Sequence, residues 1–331
     1  AWGMPRWGVR SMSQAVRRSL VVLGVLLCAF HLAIPFGPVG DASYLVGIWG
    51  AVALAAAGLA AAPAGQRLVP GLITAGLASS AVGDQVWLLY TWSGSEPDAS
   101  VADVFYLAGL AALGAALFVV GLVRTRTGDR HLDTDAVIDS LTILAVSVLL
   151  FWTLSVESIV ADDSVSPLTR AVFAAYPVAD AILLALVVRA LLTRRSRDAI
   201  GPWFAVGVVC WLVSDLGYLL LPVEGAVSAV LDVGWMAGGL LVASSAWRRW
   251  TPGMDAPTRD DDGEDADDHE PWKLVIAIVP LVVPALLLLY GEAVGDTVNP
   301  YAAVAGMSVL LVLAFARTSR LLASERRARA L

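Results

Sequence analysis

The sequence is poor in charge, lysine, cysteine and histidine, and each scarcity removes a class of function. Charged residues make up 15 % of the 331 positions, against about 25 % in ordinary soluble domains. The single lysine, Lys273, stands at a helix start, so no mid-membrane lysine is available for a retinal Schiff base. Cys28 and Cys210 both lie inside apolar runs and cannot form a disulfide framework. His31, His131 and His269 are far apart, which leaves no paired histidines for haem and no Cys/His spacing for zinc. A lone His31 in the outer part of the first apolar run reads as a packed residue. There is no phosphate-binding glycine loop, and no Ser/His/Asp set is suggested by position. No cofactor is expected. The cations do not gather into a patch without a topological explanation, so nucleic acid is not an expected partner.

What the chain has instead is apolar length. Hydrophobic residues reach 58 %, and the mean hydropathy is +0.74. A helix needs about 20 mainly apolar residues to cross a bilayer. Ten runs qualify: Ser19–Phe36, Tyr44–Ala62, Leu68–Tyr90, Val104–Val123, Ala136–Val156, Leu168–Leu192, Ile200–Leu221, Ala226–Trp247, Trp272–Tyr290 and Pro300–Ala316. Strands of alternating pattern, the mark of a membrane barrel, are missing. The expected fold is an all-α polytopic membrane helix bundle of about ten transmembrane helices in the plasma membrane, with lipid as its first partner. Basic residues near span ends favour the cytoplasmic side. With both termini cytoplasmic, 21 of the 22 cations fall inside, leaving only Arg170 outside.

The expected organisation is a cytoplasmic segment 1–18, an eight-helix body 19–250, an acidic disordered cytoplasmic loop 251–271, a final transmembrane hairpin 272–316 and a cytoplasmic connecting helix 317–331. The acidic loop concentrates nine carboxylates between Asp255 and Glu270. It does not read as a calcium loop, because counting back from Gly263 places Thr258 where an Asp should start the motif. The last span continues into Arg317–Leu331 with no Gly or Pro stop. The chain starts at Ala1 and ends while still helical in pattern, so a longer product is expected.

The body contains an internal duplication, 68–123 against 200–247. Gly83-Asp84-Gln85-Val86-Trp87 corresponds to Ser214-Asp215-Leu216-Gly217-Tyr218. Ala102-Asp103-Val104-Phe105-Tyr106-Leu107-Ala108-Gly109 corresponds to Leu231-Asp232-Val233-Gly234-Trp235-Met236-Ala237-Gly238. The offset is 131 residues from Asp84 to Asp215 and 129 from Asp103 to Asp232. Four spans separate the copies, an even number, which makes the repeat parallel.

A carboxylate within a span costs at least about 2.5–3.5 kcal/mol on insertion scales, so such residues face the interior and serve a purpose. Asp84, Asp180, Asp215 and Asp232 fall in the outer half of the expected bundle, among Trp87, Tyr106, Tyr176, Tyr218 and Trp235. Together they suggest an outward-facing acidic and aromatic pocket for a small polar or cationic ligand, or for the proton itself. The alternative is that the aromatics are interfacial anchors and the aspartates fix helix packing. Asp103 is fully explained as part of a helix N-terminal cap.

These features together resemble the multi-span N-terminal membrane modules of actinobacterial signalling proteins that carry GGDEF and EAL domains for cyclic di-GMP turnover. The resemblance rests on Gly83-Asp84 with Trp87 and Tyr90, on Ala102-Asp103-Val104-Phe105-Tyr106-Leu107, and on Ala175-Tyr176-Pro177-Val178-Ala179-Asp180. It rests also on Ser214-Asp215 with Tyr218, on Asp232-Val233-Gly234-Trp235, and on the exit helix through Ser324-Glu325-Arg326-Arg327-Ala328. It covers the chain from about Ser19 to Leu331. No Gly-Gly-Asp-Glu-Phe and no Glu-Ala-Leu signature occurs, so the chain itself is not expected to be an enzyme. The resemblance implies a sensory and anchoring region, acting as a homodimer, that controls a cytoplasmic output domain in cis. A secondary transporter is the second expectation, because repeats and buried aspartates suit that role also.

Overall fold

The computed structural model describes residues 14–126, 129–132, 134–192, 194–222, 224–248, 279–294 and 299–328. The described residues form helices α1 (Gln14–Ala33), α2 (Gly37–Ala61), α3 (Leu68–Trp92), α4 (Val101–Leu122), α5 (Thr134–Phe151) and α6 (Glu157–Ala161). They continue with α7 (Pro167–Leu192), α8 (Arg194–Leu220), α9 (Ala226–Ser245), α10 (Val283–Val294) and α11 (Pro300–Ala328). A short antiparallel ladder pairs β1 (Val123–Arg126) with β2 (Asp129–Leu132) between the fourth and fifth expected spans. A π-helical turn, Trp152–Val156, joins α5 to α6. The expected acidic loop 251–271 lies outside the described residues, as do most of the N-terminal segment 1–18 and the start of the ninth expected span.

Seven helices are long and apolar enough to cross a membrane, and three shorter apolar helices, Arg18–Ala33, Val137–Phe151 and Pro280–Ala293, accompany them. Their outward faces are apolar. Val21, Leu23, Val25 and Leu26 on α1 are between 60 % and 63 % exposed, and Phe315 on α11 is 76 % exposed. Contiguous exposed apolar surface of this extent is unstable in water and natural in lipid. The chain is an all-α polytopic membrane helix bundle.

It divides into two compact units. The first comprises Ala1–Val120 and Arg194–Thr251, and the second Gly121–Thr193 and Pro252–Leu331. The fifth and sixth expected spans therefore belong with the final hairpin, in the second unit, while the two copies of the duplication share the first.

Within the first unit, α9 packs against α8, α2, α1 and α3. Ile73, Leu113, Leu117, Phe204, Met236 and Val242 are among its most buried side chains. Small residues allow the helix backbones to approach, as is usual where lipid offers no hydrophobic drive to association. A Cβ on Gly76 would lie 3.1 Å from the Gly109 carbonyl oxygen, and one on Gly207 would lie 2.7 Å from that of Gly238. Gly76 and Gly207 are 131 residues apart, and Gly109 and Gly238 are 129 apart. The α3–α4 and α8–α9 pairs thus cross at matching positions, with the offsets read in the sequence.

The α1–α2 connection is equally tight. Pro35 ends α1, Gly37 takes a positive φ of 74°, and Pro38 opens α2. The Pro35 carbonyl occupies the place a Cβ on Gly40 would need. This close return sets the end of α1 beside the start of α2. Gly40→Ala is expected to force the turn open and to cost roughly 1–3 kcal/mol by overpacking. Thermal unfolding in detergent measures it, and a loss within a few tenths would mean that the turn yields freely.

Within the second unit, α5 packs against α7 and α11, and Leu149, Leu287 and Leu310 form a buried apolar cluster. Leu149 fills the space that a Cβ on Gly306 would enter, so α5 and α11 meet closely there. Arg170, the one cation expected on the outer side, is held at 2.8 Å by Asp163 and donates to the Val160 carbonyl at 3.1 Å.

Candidate functional site

In the first unit the α1–α2, α3–α4 and α8–α9 connections mark one end of the helices, and a polar cluster sits just inside it. Asp84, eight residues before the end of α3, accepts hydrogen bonds at Oδ1 from the Tyr106 hydroxyl on α4 at 3.0 Å and from the Tyr44 hydroxyl on α2 at 3.3 Å. Asp215 on α8 accepts one from the Trp235 indole on α9 at 2.7 Å. Trp235 in turn leans on Tyr218, with ring centroids 6.1 Å apart. The two arrangements correspond residue for residue in the duplication: Asp84 with Asp215, and Tyr106 with Trp235. An aromatic donor from the second helix of each pair holds the aspartate of the first.

Asp232, near the start of α9, takes a different partner. Its Oδ2 lies 3.3 Å from Nε2 of His31 on α1. The other imidazole nitrogen, Nδ1, lies 2.8 Å from the Ser43 hydroxyl on α2, and that hydroxyl donates to the Gly40 carbonyl at 2.8 Å. The His31 ring is also 6.0 Å from the ring of Tyr44, which connects this group to Asp84. Asp84 lies within electrostatic reach of both Asp215 and Asp232, and Asp232 within reach of Asp41. Asp41 accepts from the Trp92 indole at 2.8 Å, tying the start of α2 to the end of α3. Carboxylates predominate in this cluster, and His31 is the only basic side chain among the groups just named.

Of the residues expected from the sequence, Asp84, Tyr106, Asp215, Tyr218, Asp232 and Trp235 gather in this cluster. Trp87 is half-buried on α3, just short of one helical turn beyond Asp84. Tyr176 and Asp180 lie on α7 in the second unit, where Asp180 and Pro177 are both buried. Asp103 caps α4: the Ser100 amide donates to its Oδ2 at 2.6 Å, while the Ser100 hydroxyl accepts from the Ala102 amide at 3.1 Å. This is a capping-box arrangement with Asp in the acidic position.

Sequence reasoning missed His31, Ser43 and Tyr44. A signal was present, because a four-residue Pro-Phe-Gly-Pro turn between two apolar runs places both flanking segments at the same end. Position in the sequence suggests no Ser/His/Asp set, yet Ser43, His31 and Asp232 form such a chain, with the Ser43 hydroxyl 2.8 Å from both His31 Nδ1 and the Gly40 carbonyl. A second missed group is in the second unit, where Asp139 on α5 meets Arg317 on α11 at 2.9 Å and Arg189 on α7 at 4.0 Å. Among the described residues no group of three His, Cys, Asp or Glu side chains could hold a metal ion. No known protein family, no curated protein and no solved structure matches the chain.

Proposed function

We propose that the chain is the sensing and anchoring region of a signalling protein in the plasma membrane, taking a small cationic ligand or the proton at the acidic cluster of the first unit. The observation that carries this reading is the convergence of Asp84, Asp215 and Asp232 on one end of the same helix bundle, each held by a hydroxyl, indole or imidazole donor from another helix. Charges kept inside apolar helices are costly and mark function by default. The aromatic walls add cation–π attraction for an organic cation. In this reading α11, 29 residues long and unbroken from Pro300 to Ala328, conveys the response to a cytoplasmic output domain of the cyclic di-GMP type, and the chain works as a homodimer. The chain's own residues do no chemistry. Binding moves an equilibrium only as far as the ligand's affinity differs between the two packings.

The matching helix pairs, with an aspartate in each, also suit a secondary transporter, and one experiment separates the two. The chain is reconstituted in liposomes with a spin label at Leu322, exposed on α11. Tetramethylammonium, or a change of pH on the cluster's side, is expected to alter the label's spectrum. Asp84→Asn and Asp215→Asn are expected to abolish that response in a folded protein. Uptake of the cation into the liposomes, lost in the same variants, would replace the sensor by a transporter.

A further inference from the structure

The charges of the first unit are sorted along its helices. Apart from Asp198, every described carboxylate of the unit stands at the end that carries the acidic cluster, and no described arginine or lysine joins them there. The arginines stand at the other end. Arg17 and Arg18 lie near the start of α1, Arg67 precedes α3, Arg194, Arg195 and Arg197 open α8, and Arg248 follows α9. Seven arginines thus share that end with one aspartate.

Two of these arginines are held in place where the lipid-facing surface stops. Arg67 is exposed, and its Nε donates to the Ala62 carbonyl at 3.0 Å. Its two terminal nitrogens remain as donors with no partner among the described residues. Leu68, next in sequence, is 48 % exposed. Arg248 is exposed and lies against Gly201, where α8 is broken by a positive φ of 71°. A Cβ at Gly201 would meet Nη1, Cζ and Nε of Arg248 at 2.6, 2.7 and 3.0 Å, so only glycine admits the guanidinium there. Trp203, two residues further on, is 50 % exposed. Tryptophan favours the headgroup level of a bilayer, which sets the Arg248 guanidinium at that level also.

We infer that this end of the first unit is a docking surface for anionic phospholipid, with Arg67 and Arg248 as its fixed contacts to the lipid phosphates. The planar guanidinium offers paired N–H donors that match two phosphate oxygens. A zwitterionic headgroup cancels its phosphate charge with its own ammonium, whereas phosphatidylglycerol does not. The surplus of arginine over carboxylate therefore favours the anionic lipid, and each cation near a membrane surface adds to the attraction. The acyl chains lie along the apolar helix faces that begin beside each arginine. Lipid docking here does not depend on what binds at the acidic end.

The test uses the full chain reconstituted in phosphatidylcholine liposomes, with spin-labelled phosphatidylglycerol or spin-labelled phosphatidylcholine as the probe. The fraction of label slowed by the protein gives the relative association of the two lipids. The native chain is expected to prefer phosphatidylglycerol by roughly tenfold or more, and Arg67→Gln and Arg248→Gln to lower that preference by about fivefold each. Glu96→Gln, at the other end of the unit, is expected to leave it unchanged. If a glutamine variant fails to fold, Arg67→Lys and Arg248→Lys carry the test: they keep the charge and lose the fork, so the preference should shrink without vanishing. Equal binding of the two lipids by the native chain overturns the assignment, as does a fall of less than about twofold in the double glutamine variant, where the charge term predicts far more. An equal fall in Glu96→Gln, or a preference unmoved by the lysine variants, overturns it too. Inorganic phosphate that releases the labelled lipid at constant ionic strength would assign the arginines to a soluble anion instead.

Discussion

Replacing Asp139 by alanine is expected to destabilise the second unit by roughly 3–5 kcal/mol, the usual result of removing one side of a buried ion pair. The Asp139 carboxylate accepts a hydrogen bond from Arg317 Nη2 at Oδ2, 3.4 Å, its Oδ1 lies 2.9 Å from Arg317 Nε as an ion pair, and Arg189 Nη1 approaches Oδ2 at 4.0 Å. All three side chains are only 9 % exposed. With the carboxylate gone, two guanidinium groups face each other in a medium that screens them poorly. Arg317→Ala is expected to cost less, because Arg189 still compensates Asp139. The double variant should fall well short of the sum, as expected for residues in one network. Unfolding by denaturant in mixed micelles measures all three. A loss under about 1 kcal/mol for Asp139→Ala would mean that the guanidiniums are neutralised from elsewhere and that this cluster is peripheral. Arg317 lies on α11, so the pairing fixes that helix to α5.

How much of this was legible in the sequence depends on whether the information is local. Helix length and apolar composition are local properties. All ten expected runs coincide with described helices in whole or in part, and seven of those helices are long enough to span. The duplication was legible for the same reason: Asp84 and Asp215, and Tyr106 and Trp235, stand at fixed offsets, and the structure gives each pair the same role. The capping of α4 by Ser100 and Asp103 needed only three residues of spacing. Neighbour relations between helices are not local. Nothing in the runs themselves says that α1 lies against α9, so His31 looked like a solitary packed residue when its partner was 201 positions away. Asp139, Arg189 and Arg317 were obscured differently. Near the ends of spans, arginines read as topological signals, and their shared carboxylate, three residues into the expected fifth span, drew no attention. The division into two units rests on the same missing knowledge, since apolar runs of similar composition can join either bundle.

The glycine crossing of α8 and α9 yields the other large expected effect. Gly238→Leu is expected to cost the full 1–3 kcal/mol of a typical overpacking change or about that much again, since it meets both the Gly207 carbonyl and the Trp211 indole. A Cβ on Gly238 would lie 2.7 Å from the Gly207 carbonyl oxygen and would overlap Cδ1 of Trp211. Gly207 is confined in the same way, with the Gly238 carbonyl oxygen at 2.7 Å and the Val242 amide at 2.9 Å. The carbonyl oxygens cannot retreat and the Trp211 indole is bulky, so the helices must separate and Trp211 must shift. Gly109→Leu in the first copy is expected to cost somewhat less, because one of the atoms it meets is the Ser80 hydroxyl, which can rotate. Gly50→Leu supplies the control: nothing lies within 4 Å of its Cβ position, and little change is expected. The site then reports the separation. Trp211 donates to the Trp235 carbonyl at 2.9 Å, and Trp235 donates to Asp215 at 2.7 Å. A wedge at Gly238 displaces Trp211, releases Trp235 and leaves Asp215 without its indole donor. Loss of stability should therefore be accompanied by a red shift of Trp235 emission in a background where the other tryptophans are replaced in turn. Emission that stays put while stability falls would show that Asp215 and Trp235 are held independently of the crossing, and that the acidic cluster does not depend on how closely these two helices meet.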